Sequence, residues 1–353
     1  MTRRITQLDG VRGIAILLVM VHNLDAFSRR PLSYITTDGW MGVDLFFVLS
    51  GFLITGILLD TKGDEGYFKN FYVRRCLRIW PLYYAVLLVI FLAVPLVRNE
   101  EAILIFQTAS PRWSFFVFLQ NFLVAKPTAA FGSLGVTWSL AVEELFYLVW
   151  PLFVRFFSTD RLRWVAWGVI VCSPVLRLFL SSHNVAIYSN PFCRLDGMMA
   201  GALLALSLQE RADVPQRMTG YAWTILVVAA CLGFLTERYS FRWLTFSMTI
   251  MGSAALVYLA LFSKNTLLRS LLNFRFLTFT GTISYGLYLL HKFPHDILKA
   301  LRIEANSTLA LLIVFAASYL LAFLSWNLLE KPFLKLKDRF GSKPIVLAQS
   351  QKI

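Results

Sequence analysis

Charge is scarce in this chain. Only 15% of its 353 residues are Asp, Glu, Lys or Arg, against roughly 25% in soluble domains. That shortage excludes a chain built mainly as a water-exposed globule. Cysteine is scarce too. Cys76, Cys172, Cys193 and Cys231 are scattered, and no pair has metal-ligand spacing. A zinc module or a disulfide framework is therefore not expected, and small apolar filler is. No internal repeat and no low-complexity tract is evident, so a solenoid is not expected. A cleavable leader is also missing. The first hydrophobic stretch is too long and too polar at its far end, and no small-residue cleavage site follows it. It is read as a retained helix.

What is there is apolar: 58% of the residues are hydrophobic, including 31 Phe, 13 Tyr and 10 Trp. Abundant aromatics suit lipid-facing packing and interface anchoring. Ten long apolar segments can be marked, at 11–28, 40–59, 79–97, 134–157, 162–180, 193–208, 219–236, 243–262, 277–297 and 306–328. Most reach the roughly 17–25 residues that span a bilayer. The fold class expected is all-α: a polytopic integral membrane helical bundle of about ten transmembrane helices. It forms one domain over 1–353, with a short cytoplasmic tail at 329–353. The 193–208 segment is short, as a tilted or locally thinned span would be. Residues 113–124 are apolar but too short, and are expected as a buried or re-entrant helix.

Ten spans put both termini on one side. Arg3, Arg4, the connection from Lys62 to Arg78, the connection from Lys264 to Arg275 and the tail from Lys331 load that side with cations. The positive-inside rule makes it cytoplasmic. The net charge of +14 follows from this bias and from attraction to anionic membrane lipid. It calls for no nucleic acid. The expected setting is a bacterial inner (plasma) membrane.

Polar residues within apolar runs carry the functional signal, because they must face protein or water. Arg12 and His22 lie in the first span, with nothing charged from Gly13 to Val21. Asp44 lies near the outer end of the second span, among Gly42, Ser50, Gly51 and Gly56, which let neighbouring backbones approach. Asp44 either forms a structural ion pair or orders a catalytic group. Glu143 and Glu144 lie well inside the fourth span. As sequential residues they diverge by about 100° and cannot both line one narrow groove. Arg194 and Asp196 are two apart and should reach different partners. His291 is a weaker candidate, and His183 and His295 weaker still. Arg74, Arg75 and Arg78 lie close together, and Arg74 and Arg78 share a helical face. Such a cluster is either a topology signal that meets lipid headgroups or a phosphate site, for which arginine's bidentate fork is suited. No metal ligand set is needed.

Taken together these stretches resemble a known family. They are Leu8-Asp9-Gly10-Val11-Arg12-Gly13-Ile14-Ala15, Gly42-Val43-Asp44-Leu45-Phe46-Phe47-Val48-Leu49-Ser50-Gly51-Phe52, Arg74-Arg75-Cys76-Leu77-Arg78-Ile79-Trp80-Pro81 and Gln120-Asn121. Further on come Trp138-Ser139-Leu140-Ala141-Val142-Glu143-Glu144-Leu145-Phe146-Tyr147, Arg194, Asp196-Gly197, Ser284-Tyr285-Gly286-Leu287-Tyr288, His291 and Glu330-Lys331-Pro332. In that order the chain resembles the integral membrane acyltransferase 3 family, whose members O-acylate sugars and other acceptors. Some members add an extracytoplasmic esterase-like domain, which is not expected within these residues.

The resemblance implies an enzyme that moves an acyl group, acetyl first, from acyl-CoA to a carbohydrate, glycan or glycolipid hydroxyl. It implies no tightly bound cofactor. His22 would be the general base, Arg12 would steady the oxyanion, Glu143 would orient His22 or the sugar, and Asp44 would bind acceptor hydroxyls. Arg74, Arg75 and Arg78 would hold the coenzyme phosphates. An acyl-enzyme through His22 is compatible with the same residues. One departure stands out. The family pattern puts ten residues between the arginine and the histidine, whereas nine separate Arg12 from His22, and Asn23 takes the other position. A ten-residue step falls about 80° short of whole turns, so His22 is turned off the face of Arg12 unless the helix bends. The reading from a different class is a transporter of a sugar-linked or anionic substrate, with a His/Glu proton relay.

Overall fold

The computed structural model describes residues 5–24, 38–93, 110–123, 132–210, 218–301 and 308–340. Among them there is no strand. The bundle is built from α1 (Thr6–Asn23), α2 (Met41–Asp60), α3 (Tyr67–Leu88), a short α4 (Arg112–Phe116), α5 (Thr137–Phe156), α6 (Thr159–Ser182) and α7 (Leu195–Glu210). It continues with α8 (Thr219–Arg238), α9 (Arg242–Phe262), α10 (Thr266–Leu272), α11 (Arg275–Thr282), α12 (Ser284–Leu290), α13 (Lys292–Ala300), α14 (Thr308–Ser325) and α15 (Lys331–Leu336). This is a polytopic helical membrane fold. Seven helices among the described residues are long and apolar enough to cross a membrane. Outward faces such as Phe156, Trp164 and Leu148 are bare of protein, as lipid-facing side chains are. The other three expected spans correspond to α1, to the 16-residue α7 and to the broken run α11–α13.

Close backbone approach holds the centre together. α2 packs along α7, where a Cβ added to Gly51 would strike the Met198 carbonyl and one added to Gly201 would strike that of Val48. α1 packs along α11 in the same way, with Gly281 against the Asp9 carbonyl. Small residues let helices approach in this way where lipid gives no hydrophobic drive for association. Gly42 joins this set against Ala15, but Gly56 faces open space, so its expected packing role is not seen.

Three expected boundaries are corrected. The third span begins at Tyr67, not at 79, so Arg74, Arg75 and Arg78 belong to the helix rather than to a connection before it. Pro81 therefore sits inside α3, which ends in a π turn at Val89–Ala93. Of the expected 113–124 helix, position 124 lies outside the described residues; within 113–123 only the stretch to Phe116 is helical, and Trp113, Val117 and Phe122 are exposed. The ninth span is not one helix. It breaks at Ile283 and at His291. At the break the His291 carbonyl shares the Ser318 hydroxyl of α14, at 3.2 Å, with the Val314 carbonyl at 2.7 Å. Buried backbone groups must find such partners in a bilayer. Of the cysteines, Cys193 is buried, whereas Cys172 and Cys231 face outward, so the filler expectation holds for Cys193 alone among these three.

Candidate active site

A cavity of about 220 Å³ lies between α1, α2, α3, α5 and α12, running along α2 from Val43 and Phe47 to Ile57. Four cations line it: Arg12 from α1, Arg75 and Arg78 from α3, and Lys337 from the turn that follows α15. Glu143 of α5 is the single carboxylate among the lining residues. The rest of the wall is apolar side chains of α2, such as Leu53 and Ile57, together with hydroxyls. A concave, mostly apolar site with a few convergent polar groups is the usual form of a small-molecule pocket. Its excess of cations selects an anion.

Helix period explains the α3 contribution. Arg75 and Arg78 are three apart and share a face, and that face meets the cavity. Arg74 points elsewhere, with Nη1 3.5 Å from the Phe340 carbonyl. The pair facing the cavity is thus Arg75 with Arg78, not the Arg74 and Arg78 pair that the four-residue spacing suggested. The Arg75 guanidinium lies over the rings of Phe71 and Tyr147, 5.7 Å from each centroid. Its buried Nε has no hydrogen-bond partner. Arg12 pairs with Asp9 one turn earlier at 3.2 Å. Arg78 stands close enough to act electrostatically on both Arg12 and Glu143.

Glu143 is held by two hydroxyls. Ser50 Oγ donates to Oε1 at 2.8 Å and the Tyr147 phenol donates to Oε2 at 3.0 Å. The phenol oxygen lies 3.3 Å from Ser50 Oγ. The neighbouring Glu144 does not line the cavity, and its buried Oε1 has no partner. The two glutamates diverge as the helix step requires. On the opposite wall, the Tyr285 hydroxyl donates to the Ile79 carbonyl at 2.6 Å. Tyr288 donates to the Val136 carbonyl at 2.9 Å and lies 2.5 Å from Ser139 Oγ.

Arg12 and Glu143 are therefore brought to one cavity, with Arg75 and Arg78. His22 is not. It sits in the last turn of α1, beside Gly39, where an added Cβ would lie 2.8 Å from the His22 Cβ. Ten residues of helix put it about 15 Å along the axis from Arg12. Asp38, just before α2, feels both His22 and Glu237: burial and Glu237 push its carboxyl up, and His22 pulls it down. Asn23 is turned back onto its own helix, donating to the Val19 carbonyl at 3.0 Å.

Asp44 is also away from the cavity. It forms a fully buried ion pair with Arg194 and accepts from Thr249 Oγ1 at 2.5 Å. The Arg194 guanidinium stacks over Phe246, 4.1 Å from the ring centroid. Asp196 reaches a different partner, as the two-residue spacing required: Arg177 at 2.8 Å. Arg177 also donates to the Cys193 carbonyl at 2.6 Å, to the Trp243 carbonyl at 3.0 Å and to Ser247 Oγ at 2.6 Å. These contacts tie α2, α6, α7 and α9 together behind the cavity wall formed by Val43 and Phe47. His291 Nδ1 faces the carbonyls of Leu287 and Tyr288, and its buried Nε2 has no partner. His295 lies 3.4 Å from Asp296, which accepts from Ser133 Oγ.

Lys337, Ser50, Tyr147, Tyr285 and Tyr288 are lining residues that the sequence reading did not assign to a site. Ser50 was read only as a small packing residue. The (i, i+4) pair of Glu143 and Tyr147 was the available signal for the latter. Nothing in the sequence linked Lys337 to Arg12.

Fold and cavity define a polytopic helical membrane protein with a pocket lined by four cations and one carboxylate. The chain belongs to the acyltransferase-domain family that its motifs resemble, the acyltransferase 3 family, whose profile matches residues 5–327. It is similar to YrhL of Bacillus subtilis (strain 168), named as a candidate peptidoglycan O-acetyltransferase, with 31% identity over 94% of this chain and 55% of that protein. It is also similar to the peptidoglycan O-acetyltransferase OatA of Listeria monocytogenes, with 28% identity over 94% of this chain and 56% of that protein. The chain spans about half the length of these curated relatives. No solved structure matches it.

Proposed function

We propose that this protein is a membrane O-acyltransferase that takes an acyl group, acetyl in the first instance, from acyl-CoA and delivers it to a glycan hydroxyl. One observation carries the reading: Arg12, Arg75, Arg78 and Lys337 converge on a single cavity around Glu143. Coenzyme A brings phosphates that such cations can hold, and a thioester whose carbonyl develops negative charge during transfer. The acceptor reading rests on the two named relatives, and makes a peptidoglycan sugar the first acceptor to try. In this reading the Lys337 end of the cavity is cytoplasmic, in a bacterial plasma membrane, with both termini on that side. His22, at the other end of α1 and outside the cavity, serves the acceptor rather than the donor.

The test is a coupled assay on the purified full-length protein in detergent. Acetyl-CoA and a peptidoglycan fragment are supplied, and free thiol and acetylated glycan are followed together. Stoichiometric appearance of both supports the proposal. Substrate movement across proteoliposomes without thioester consumption would favour the transporter reading instead.

A further inference from the structure

Glu143 is bonded to two hydroxyls in the cavity wall, and each has a different standing. Tyr147 sits one turn along the same helix, and is 4% exposed. It is fixed against the carboxylate by its own helix. Ser50 comes from α2, is half-buried and opens on the cavity. A nucleophile in hydrogen-bond reach of a base, with that base oriented by a third group, is the general form of an activated nucleophile. Ser50, Glu143 and Tyr147 have that form. Of the other lining hydroxyls, Tyr285 is committed to the Ile79 carbonyl, Tyr288 to that of Val136 and Ser139 to Tyr288, while Ser284 lines the cavity without a carboxylate bonded to it.

We propose that Ser50 Oγ accepts the acyl group from the donor thioester and holds it as an ester before transfer onward. This rests on the acyl-CoA reading above. Ser50 Oγ attacks the thioester carbonyl carbon while its proton passes to Glu143. The oxyanion is met by Arg75, whose Nε has no partner in the protein, and by Arg12, which leaves Arg78 and Lys337 to the coenzyme phosphates. The tetrahedral adduct then collapses. The C–S bond breaks, and the thiolate takes the proton from Glu143 and leaves as free coenzyme thiol. In the second half, an acceptor hydroxyl attacks the Ser50 ester. Its proton ends on Ser50 Oγ, and the acceptor ester is released. No oxidant, metal or further reactant is required.

Such an intermediate separates the two substrates in time. The coenzyme can leave the cationic cavity before the acceptor engages. It would also give the enzyme ping-pong kinetics.

The experiment supplies acetyl-CoA, labelled in the acetyl group, to purified full-length protein without acceptor. Wild type should release about one thiol per chain in a burst and retain alkali-labile label on the peptide that contains Ser50. Ser50→Ala should lose the label and slow thiol release by roughly 100-fold or more, as loss of a nucleophile does. Ser50→Cys should still be labelled, now as a thioester cleaved by neutral hydroxylamine, which shows that the fold survives change at this position. Label on Tyr147 or on a histidine would overturn the proposal. So would acceptor acylation by Ser50→Ala at the wild-type rate. Wild type that neither binds nor cleaves acetyl-CoA would overturn the donor reading instead, and that result is seen before any Ser50 variant is needed.

Discussion

Arg74 and Arg78 are four residues apart on one helix, yet they should behave very differently when removed. Arg78 lines the cavity with Arg12, Arg75 and Lys337, and its charge reaches Glu143. Arg74 does not line the cavity, and its Nη1 lies 3.5 Å from the carbonyl of Phe340. A hydrogen bond to a charged group contributes about 1.5–3 kcal/mol. One such bond from Arg78 to a coenzyme phosphate therefore changes donor affinity by about 10-fold to 150-fold. Arg78→Ala should raise the donor KM by that factor and leave the acceptor KM near wild type. Arg74→Ala should change either by less than about 3-fold, which is under 1 kcal/mol. The assay is initial-rate thiol release at varied acetyl-CoA, then at varied acceptor, with folded protein matched by size-exclusion chromatography. Equal effects of the two substitutions, or none from Arg78→Ala, would mean that the cavity does not hold the coenzyme phosphates.

Much of this arrangement was legible in the sequence because membrane physics leaves few choices. Charges inside apolar runs must face protein, and that flagged Arg12, Glu143, Asp44 and Arg194 before any coordinates. What the sequence could not supply was partners. Asp44 carried two readings, structural and catalytic, and only the tertiary fold brings Arg194 to it from the turn before α7. Helix ends were misjudged where polar faces continue apolar helices. α3 starts at Tyr67, directly after the left-handed Gly66, and its first half carries Lys69, Arg74, Arg75 and Arg78, which lower the local hydropathy without ending the helix. The breaks at Ile283 and His291 were missed because the run was read as one span, although Thr282 and Ser284 flank the first break and Lys292 and Pro294 follow the second. Lys337 was invisible because its cavity is assembled by packing of the tail against α3.

The other predictions concern the base, the buried ion pair and the histidine. Glu143→Gln should lower turnover by about 10²–10⁴-fold, the size of a lost acid–base group, while donor binding measured by isothermal titration stays within a few-fold; normal turnover would remove Glu143 from the chemistry. Asp44→Ala leaves the buried Arg194 uncompensated, which costs about 3–5 kcal/mol, so its Tm in detergent should fall clearly, and Asp44→Leu with Arg194→Met should recover most of that loss; a double variant as unstable as the single would refute the ion-pair account. The last prediction separates the two ends of the molecule. His22 lies about 15 Å along α1 from Arg12 and does not line the cavity. If it serves the acceptor, His22→Ala should leave acetyl-CoA binding and the first thiol burst near wild type, while acceptor acylation falls by about 10²–10⁴-fold. Asn23→Ala should cost far less, because Asn23 is bonded back to Val19. Both half-reactions are read in one experiment, the burst without acceptor and the steady state with it. Loss of the burst in His22→Ala would mean that His22 acts on the donor despite its distance. A dead Asn23→Ala beside an active His22→Ala would mean that the position eleven residues after Arg12, not ten, faces the acceptor.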